Sequence, residues 1–315
     1  KDSDGGAWRH RTQGTSWYNE ALNTSTRGAT KKFPSVAVIV AETNKVTIYD
    51  GDDPDMPMWM VFLLTSSYVW AHTASGNITS VSMMQGVLAV GTSGDNVVWS
   101  GAHIAYFLSD WGGIVSSNAS ARSYSRIVNR HLNADGNGQE YRLIGRIVDS
   151  KTNDIAMTVL PNAPIDADTG LPVPTIAVAT NGGVSVIKDD GNVFDITSAN
   201  GWNPSGFLTF DEDNYIVAQV GNATGQGLIF RYPVPSSDIT VGGGDSRMLG
   251  GANIYNQSFP HFGSDLGGMS MVTHDESGIA VDAKNNGTQT LVKYWKNDND
   301  YSDSSVAYIA SDYNT

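Results

Sequence analysis

The feature that most constrains this chain is a recurring pulse of short apolar runs, four to six residues each and rich in β-branched side chains. Val36–Val40, Val46–Tyr49, Gly86–Val90, Ile155–Val159, Ile176–Ala179, Val184–Ile187, Tyr215–Ala218, Leu228–Phe230 and Gly278–Val281 all have this form. A helix shows its apolar positions every three or four residues over ten or more, whereas short runs closed off by turn residues are strands. The punctuation between them is turn chemistry: Thr43-Asn44-Lys45, Asn181-Gly182-Gly183, Asp189-Asp190-Gly191-Asn192 and Asp211-Glu212-Asp213-Asn214. Gly, Asn and Asp tolerate the tight and left-handed conformations that hairpin loops require. Only Ser116 to Leu132 reads as helical. The expectation is an all-β, antiparallel protein.

A repeated signature narrows the architecture. Phe33-Pro34-Ser35-Val36-Ala37-Val38 and Val173-Pro174-Thr175-Ile176-Ala177-Val178 share one pattern, and each leads into a hairpin. Ser305-Val306-Ala307-Tyr308 repeats its core near the C-terminus. The copies lie about 140 and 130 residues apart, and a propeller blade takes about 40–50 residues, so each interval holds three blades. A β-propeller of six blades is expected, with five or seven as alternatives. It occupies residues 33–315, and the strand Ser305 to Ala310 closes the ring by joining strands of the N-terminal region. A pair of stacked sheets is the rival, but it leaves the repeated signature without a reason. Residues 1–32 carry Trp8, Arg9, His10, Arg11, Trp17 and Tyr18 with no strand alternation, and read as an arm or cap.

Composition removes several classes of function. With 19 basic against 32 acidic residues and a net charge of −13, the chain lacks the clustered cations that nucleic acid or an anionic membrane surface requires. The longest apolar run, Met56 to Leu64, is strand-sized and far short of a membrane-spanning helix. There are no cysteines, which excludes disulfides and thiolate metal sites. A start at Lys1 without an initiator Met or a signal peptide reads as a piece of a longer polypeptide.

Several long blocks carry a family likeness: Lys1-Asp2-Ser3-Asp4-Gly5-Gly6-Ala7-Trp8-Arg9-His10-Arg11-Thr12, then Thr15 to Glu20, then Val46 to Phe62. Asp154 to Ile165, Pro174 to Asp195 and the tail Ala307 to Thr315 extend it. Together they cover roughly half the chain and resemble large virion proteins of marine bacteriophages, of the tail-fibre or appendage type. In such proteins a concanavalin-like lectin module often follows the point where this chain stops. The resemblance implies a virion or extracellular appendage location. The implied partners are other domains or copies of the same appendage protein and a host surface glycan. It implies no catalytic residues.

The strong enzymatic motifs are absent: no His-Glu-x-x-His, no Gly-x-Ser-x-Gly, no phosphate-binding Gly-x-x-x-x-Gly-Lys, no dinucleotide fingerprint and no Cys nucleophile. Asp50-Gly51-Asp52-Asp53-Pro54-Asp55 places four carboxylates in six residues, and calcium favours such oxygens on a tight loop. The preferred reading is a solvated hairpin loop whose Asp side chains bond its own amides. Asn133-Ala134-Asp135-Gly136-Asn137-Gly138 opens like a calcium loop, with oxygen ligands at Asn133, Asp135 and Asn137, but Ile144 stands where the closing Glu belongs. Ser93 to Trp99 resembles the structural Asp-box turn of sialidase-type propellers, without its Gly. His274-Asp275-Glu276 reads as a hairpin tip.

Trp59, Trp70 and Trp99 sit in apolar strands and read as core. Trp111, Trp202, Tyr255, Phe259 and Phe262 lie among polar residues, where a flat apolar face can stack on a sugar ring; covering blade ends is the simpler role. The sequence therefore points to a non-enzymatic structural or binding module that needs no cofactor, with calcium the one candidate ion. The alternatives are a glycan-degrading propeller, using a pair among Asp50, Asp52 and Asp95, and a cell-surface adhesion module.

Overall fold

The computed structural model describes residues 2–64, 76–94, 100–117, 123–124, 126–131, 139–140, 145–199, 203–221, 227–241, 270–275, 278–285, 288–295 and 307–310. Among them there is no α-helix, and the strands form five sheets that follow one another along the chain. The first sheet is β1 (Ala37–Glu42), β2 (Lys45–Asp50) and β3 (Met58–Leu63). The second comprises β4 (Ile78–Met84), β5 (Val87–Thr92), β6 (Ala102–Tyr106), β7 (Trp111–Val115) and the two-residue strands β8 (Ser123–Tyr124) and β9 (Gln139–Glu140). The third is β10 (Thr152–Thr158), β11 (Thr175–Thr180), β12 (Gly183–Ile187) and β13 (Val193–Ser198). The fourth is β14 (Asn203–Phe210), β15 (Ile216–Gly221) and β16 (Gly227–Tyr232). β17 (Ile239–Val241) then returns to the third sheet and pairs parallel with β13. The fifth is β18 (Ser270–Asp275), β19 (Gly278–Asn285), β20 (Thr288–Trp295) and β21 (Ala307–Ala310). Every other pairing is antiparallel between chain neighbours.

All nine apolar runs lie on strands, and the four turn sequences join β1 to β2, β11 to β12, β12 to β13 and β14 to β15. The turn between β4 and β5 consists of Gln85 and Gly86, both at positive φ (51° and 71°), the pair of left-handed residues that matches strand twist. Two expectations are corrected. Ser116 to Leu132 is not a helix: among its described residues it holds β8 and a short 3-10 turn, Ile127–His131, with Ile127 and Arg130 buried. The C-terminal strand β21 pairs with β20 and not with N-terminal strands. Only 11 residues separate these two strands, and a short connection closes at small entropic cost. The repeated signature precedes a hairpin at β1 and at β11, but the two strands differ: β1 is an outer, largely exposed strand, and β11 is buried at every position.

Three apolar clusters join the first four sheets in series. Val46, Ile48, Met60 and Phe62 of the first sheet meet Leu88, Val90, Ala105 and Ile114 of the second. The opposite face of the second sheet, Val87, Ala89, Ile104 and Val115, meets Ile155, Met157, Ile176 and Val178 of the third. The opposite face of the third, Ala177, Ala179, Val184 and Val186, meets Leu208, Ile216 and Ala218 of the fourth. Successive strand residues point to opposite faces, so each middle strand must be apolar at every position to serve two neighbours. The leading strands also touch in order: β1 with β4, β4 with β10, β10 with β14, and β14 with β18.

The N-terminal 32 residues form part of the first core. Trp8 and Trp17 are fully buried beside Phe33, Trp59 and Phe107. Trp17 meets Trp59 edge-on at 5.4 Å and Phe107 at 5.6 Å, and its indole N–H donates to the Phe107 carbonyl at 2.7 Å. Deleting a ring of this size from a closed core costs about 3–5 kcal/mol. Trp17→Ala is therefore expected to lower unfolding stability by about that amount in urea titrations. An arm lying loosely on the surface would give no change.

Candidate functional site

The exposed end of the second sheet holds the one sugar-stacking candidate that falls among the described residues. Trp111 opens β7 opposite Tyr106, the last residue of β6. Their rings stack at 4.2 Å with 17° between planes, and both residues are half-buried. The turn that joins them is held from outside. Asp110, at a left-handed φ of 55°, accepts from the Ser16 amide at 2.7 Å, the Ser16 hydroxyl at 2.8 Å and the Ile127 amide at 3.2 Å. One carboxylate thus ties the hairpin end to the N-terminal arm and to the 3-10 turn. The aromatic pair therefore sits on a fixed support. Trp202, Tyr255, Phe259 and Phe262 lie outside the described residues.

The aspartate loop between β2 and β3 turns its oxygens onto backbone amides, within the loop and in the segment before β1. Asp52 accepts from the Ser35 amide at 2.6 Å and the Val36 amide at 3.1 Å. Asp50 accepts from the Asp52 amide at 3.1 Å, and Asp53 from the Asp55 amide at 2.9 Å. The Ser35 amide, followed by the Val36 amide, holds the Asp52 carboxyl below the usual carboxylate range. This is the Asx-turn pattern, in which side chains replace missing backbone partners. Among the described residues no group of three or more His, Asp or Glu side chains is arranged to hold a metal ion. Asn133, Asp135, Asn137 and Asp95 lie outside the described residues, as do Trp70 and Trp99. His274 and Asp275 end β18 where it turns into β19, the hairpin position expected for them.

The densest polar chemistry is a buried cluster on the outer edge of β3. An edge strand leaves a row of backbone groups unpaired, which invites another chain to add on. Here the arm covers that row: Val61 N–H donates to the Thr26 carbonyl and Gly28 N–H to the Trp59 carbonyl, at 3.0 and 2.9 Å. Arg27 adds a second donor to the Trp59 carbonyl at 2.7 Å, and its guanidinium lies 4.3 Å from the centre of the Trp59 ring system. Arg130 donates to the Val61 carbonyl at 2.9 Å and grips both oxygens of Glu20 at 2.9 Å. Glu20 also lies 3.8 Å from Arg27, so one carboxylate balances two buried guanidiniums. Burial lowers the Arg27 pKa to about 10, which leaves it charged at neutral pH. Nothing local marks this cluster, because its members come from positions 20, 27 and 130.

A second buried carboxylate joins three sheets. Asp154 on β10 accepts from the Ser80 hydroxyl of β4, the Ile155 amide and, at 2.7 Å, the Leu208 amide of β14. Burial raises its pKa, and these donors partly offset the effect. It is a junction between leading strands, and its oxygens are occupied. On β13, Asp195 is likewise raised by burial and accepts from the Ser185 hydroxyl.

No protein-family model matches this chain, and no curated protein matches it. Among solved structures, a protein of unknown function from Bacteroides caccae aligns at 8% identity with a TM-score of 0.37, covering 87% of this chain and 72% of that one. Kluyveromyces lactis Hsv2 aligns at 9% identity with a TM-score of 0.29, covering 84% and 91%. Likeness at this level gives no residue of this chain a role.

Two measurements test these sites. His131 accepts from the Leu63 amide at 3.0 Å, and burial, then the charge of Arg130, push its pKa down to about 3 from an ordinary 6.5. A group lowered this far binds its proton more readily when unfolded. Its contribution is therefore complete above pH 6.5 and is lost as pH falls toward 3. In urea titrations, wild type should lose stability relative to His131→Gln by up to about 1.4 kcal/mol per pH unit below that point. Asp154, raised, acts in the opposite sense in both proteins and cancels in the comparison. Secondly, because Asp50, Asp52 and Asp53 each turn an oxygen onto a backbone amide, a chelator is expected to leave Tm unchanged. A fall in Tm restored by calcium would assign the loop to the ion.

Proposed function

We propose that this chain is a propeller-type domain of five sheets that serves as a non-catalytic structural and binding module of a surface appendage such as a phage tail fibre. The observation that carries this reading is the serial packing: the second and third sheets are apolar on both faces, and each is covered by the sheet before it and the sheet after it. Leading strands that touch in chain order are the arrangement of blades around an axis. The long sequence blocks that resemble marine phage virion proteins favour the appendage setting, with neighbouring domains or copies of the same protein as partners.

The non-catalytic part of the reading rests on where the acids go. Asp52, Asp110, Asp154 and Asp195 each hold amides or hydroxyls in place, which is staple work and not proton transfer. The binding part rests on the Tyr106–Trp111 stack on its braced hairpin end, which fits a host surface glycan. The net charge of −13 favours a neutral or cationic partner over nucleic acid or an anionic membrane.

Stacking on a sugar gives up about 1–3 kcal/mol when the ring is removed, by analogy with base stacking on aromatic platforms. Trp111→Ala is accordingly expected to reduce retention on host polysaccharide or a glycan array about tenfold or more, with the fold unchanged by circular dichroism. Equal retention by the variant would remove the hairpin end as the binding surface. Release of reducing ends from host polysaccharide by the wild type would replace the module reading with a hydrolase.

A further inference from the structure

The Tyr106–Trp111 stack lies on the face of the second sheet that meets the third. Cross-strand pairing sets Met84, Val87, Tyr106 and Trp111 in one row along the end of the second sheet, and residues opposite one another in a ladder share a face. Val87 belongs to the core between the two sheets, with Met84 and Tyr106 packed against it. On the third sheet Ile187 belongs to that core, and Val193, its partner across β12 and β13, packs against it. These rows lie at the same end of the seam. Ser80 and Asp154, each third in its leading strand, are hydrogen-bonded, and Gly91, opposite Ser80, lies against Thr152, the first residue of β10. Met84 and Met157, near the other ends of β4 and β10, line the same core. The two leading strands therefore run in the same sense, which sets the β6–β7 end beside the β12–β13 end. Val87 and Ile187 are buried, whereas Tyr106, Trp111 and Val193 are half-buried, so the seam opens at this rim.

The third sheet brings polar groups to the same rim. β12 and β13 are joined by Lys188-Asp189-Asp190-Gly191-Asn192, a turn closed by its own backbone: the Lys188 amide donates to the Asn192 carbonyl at 2.8 Å, and the Gly191 amide to the Lys188 carbonyl at 3.0 Å. Asp190 accepts from the Asn192 amide at 2.9 Å; this bond, then the Asn192 side chain, holds its carboxyl below the usual range. Facing sheets stand about 10 Å apart, so the turn and the aromatic pair border one opening. A sugar ring offers an apolar face to stack and a rim of hydroxyls to bond, and these two walls supply one kind of partner each. We infer that the glycan site is this seam, with a sugar ring stacked on Trp111 and its hydroxyls bonded to the Asp189–Asn192 turn, and that its ligand is an uncharged sugar. The inference rests on the binding reading above and adds a second wall and a ligand class. Two aspartates against one lysine leave the turn acidic, which rejects sialic and uronic acids and admits a neutral sugar.

Asp189→Ala combined with Asn192→Ala removes hydroxyl partners and leaves the backbone bonds that close the turn. On a glycan array this variant is expected to lose about tenfold in retention of neutral glycans, as the loss of a charge-assisted hydrogen bond entails, with circular dichroism unchanged. Asp189→Lys, which reverses the charge of the turn, is expected to gain retention of sialylated glycans. Trp111→Ala, measured beside them, separates the two readings. Retention lost by Trp111→Ala but kept by the turn variant would put the sugar on the second sheet alone, overturning the seam and leaving the module reading. Retention kept by both variants, or absent from the wild type, would remove the binding reading and the seam with it. A wild-type preference for acidic over neutral glycans would overturn the ligand class.

Discussion

The structure depends on sheets that are apolar on both faces. A sheet with one wet face can end a fold, but β5, β11 and β12 are buried at every position and must be covered from two sides. Each sheet added to satisfy one neighbour brings a new apolar face that needs another. The process stops only at a polar sheet, a cap or a closed circle. Small side chains make the repeat compact. Ala89, Ala177 and Ala179 let neighbouring sheets approach where Val and Ile on the facing strands fill the space. Gly91 marks a close approach of β5 to β10, since a Cβ there would lie 2.6 Å from the Thr152 methyl group.

The N-terminal segment solves a different problem. The outer edge of β3 would template another strand, and residues 26–28 occupy it while Arg27, Arg130 and His131 cap what remains. The charges are taken out of water, which costs several kcal/mol per ion unless geometry and hydrogen bonds are good. The two-oxygen grip of Arg130 on Glu20 and the carbonyl acceptors on Trp59 and Val61 meet most of that requirement, although the buried Arg27 Nε has no hydrogen-bond partner. The arm and the 3-10 turn are thereby fixed relative to each other across more than a hundred residues of chain.

Strand positions were legible in the sequence because they follow local rules. Runs such as Ile176–Ala179 with Asn181-Gly182 beyond them admit no helix, and they lie where expected. β4, β7 and β13 escaped because Ser, Thr, Gly and Asp interrupt their apolar pattern. The burial of Trp8 and Trp17 was not legible, because aromatic residues in an irregular segment look alike whether they cap a core or face water. The edge cluster was invisible for a different reason: Glu20 and Arg130 meet only through the fold. In the aspartate loop the local rule is visible at Asp50 and Asp53, which precede Gly and Pro and bond the amides two residues on, whereas the reach of Asp52 to Ser35 and Val36 had no local signal. The shared signature at Pro34 and Pro174 marks the entry to a hairpin and does not fix its depth in the core.

β17 has a consequence for how the molecule comes apart. After leaving the fourth sheet the chain doubles back and lies parallel to β13, with Thr240 against Thr197 at 3.2 Å and the Ala199 amide on the Val241 carbonyl at 3.0 Å. The third sheet therefore receives its last strand only after the chain has passed through the fourth. The pairing of β13 with β17 couples the third and fourth sheets, so these two are expected to unfold together. A protease nick between β13 and β17 would leave the two pieces held by strand pairing as well as by core packing.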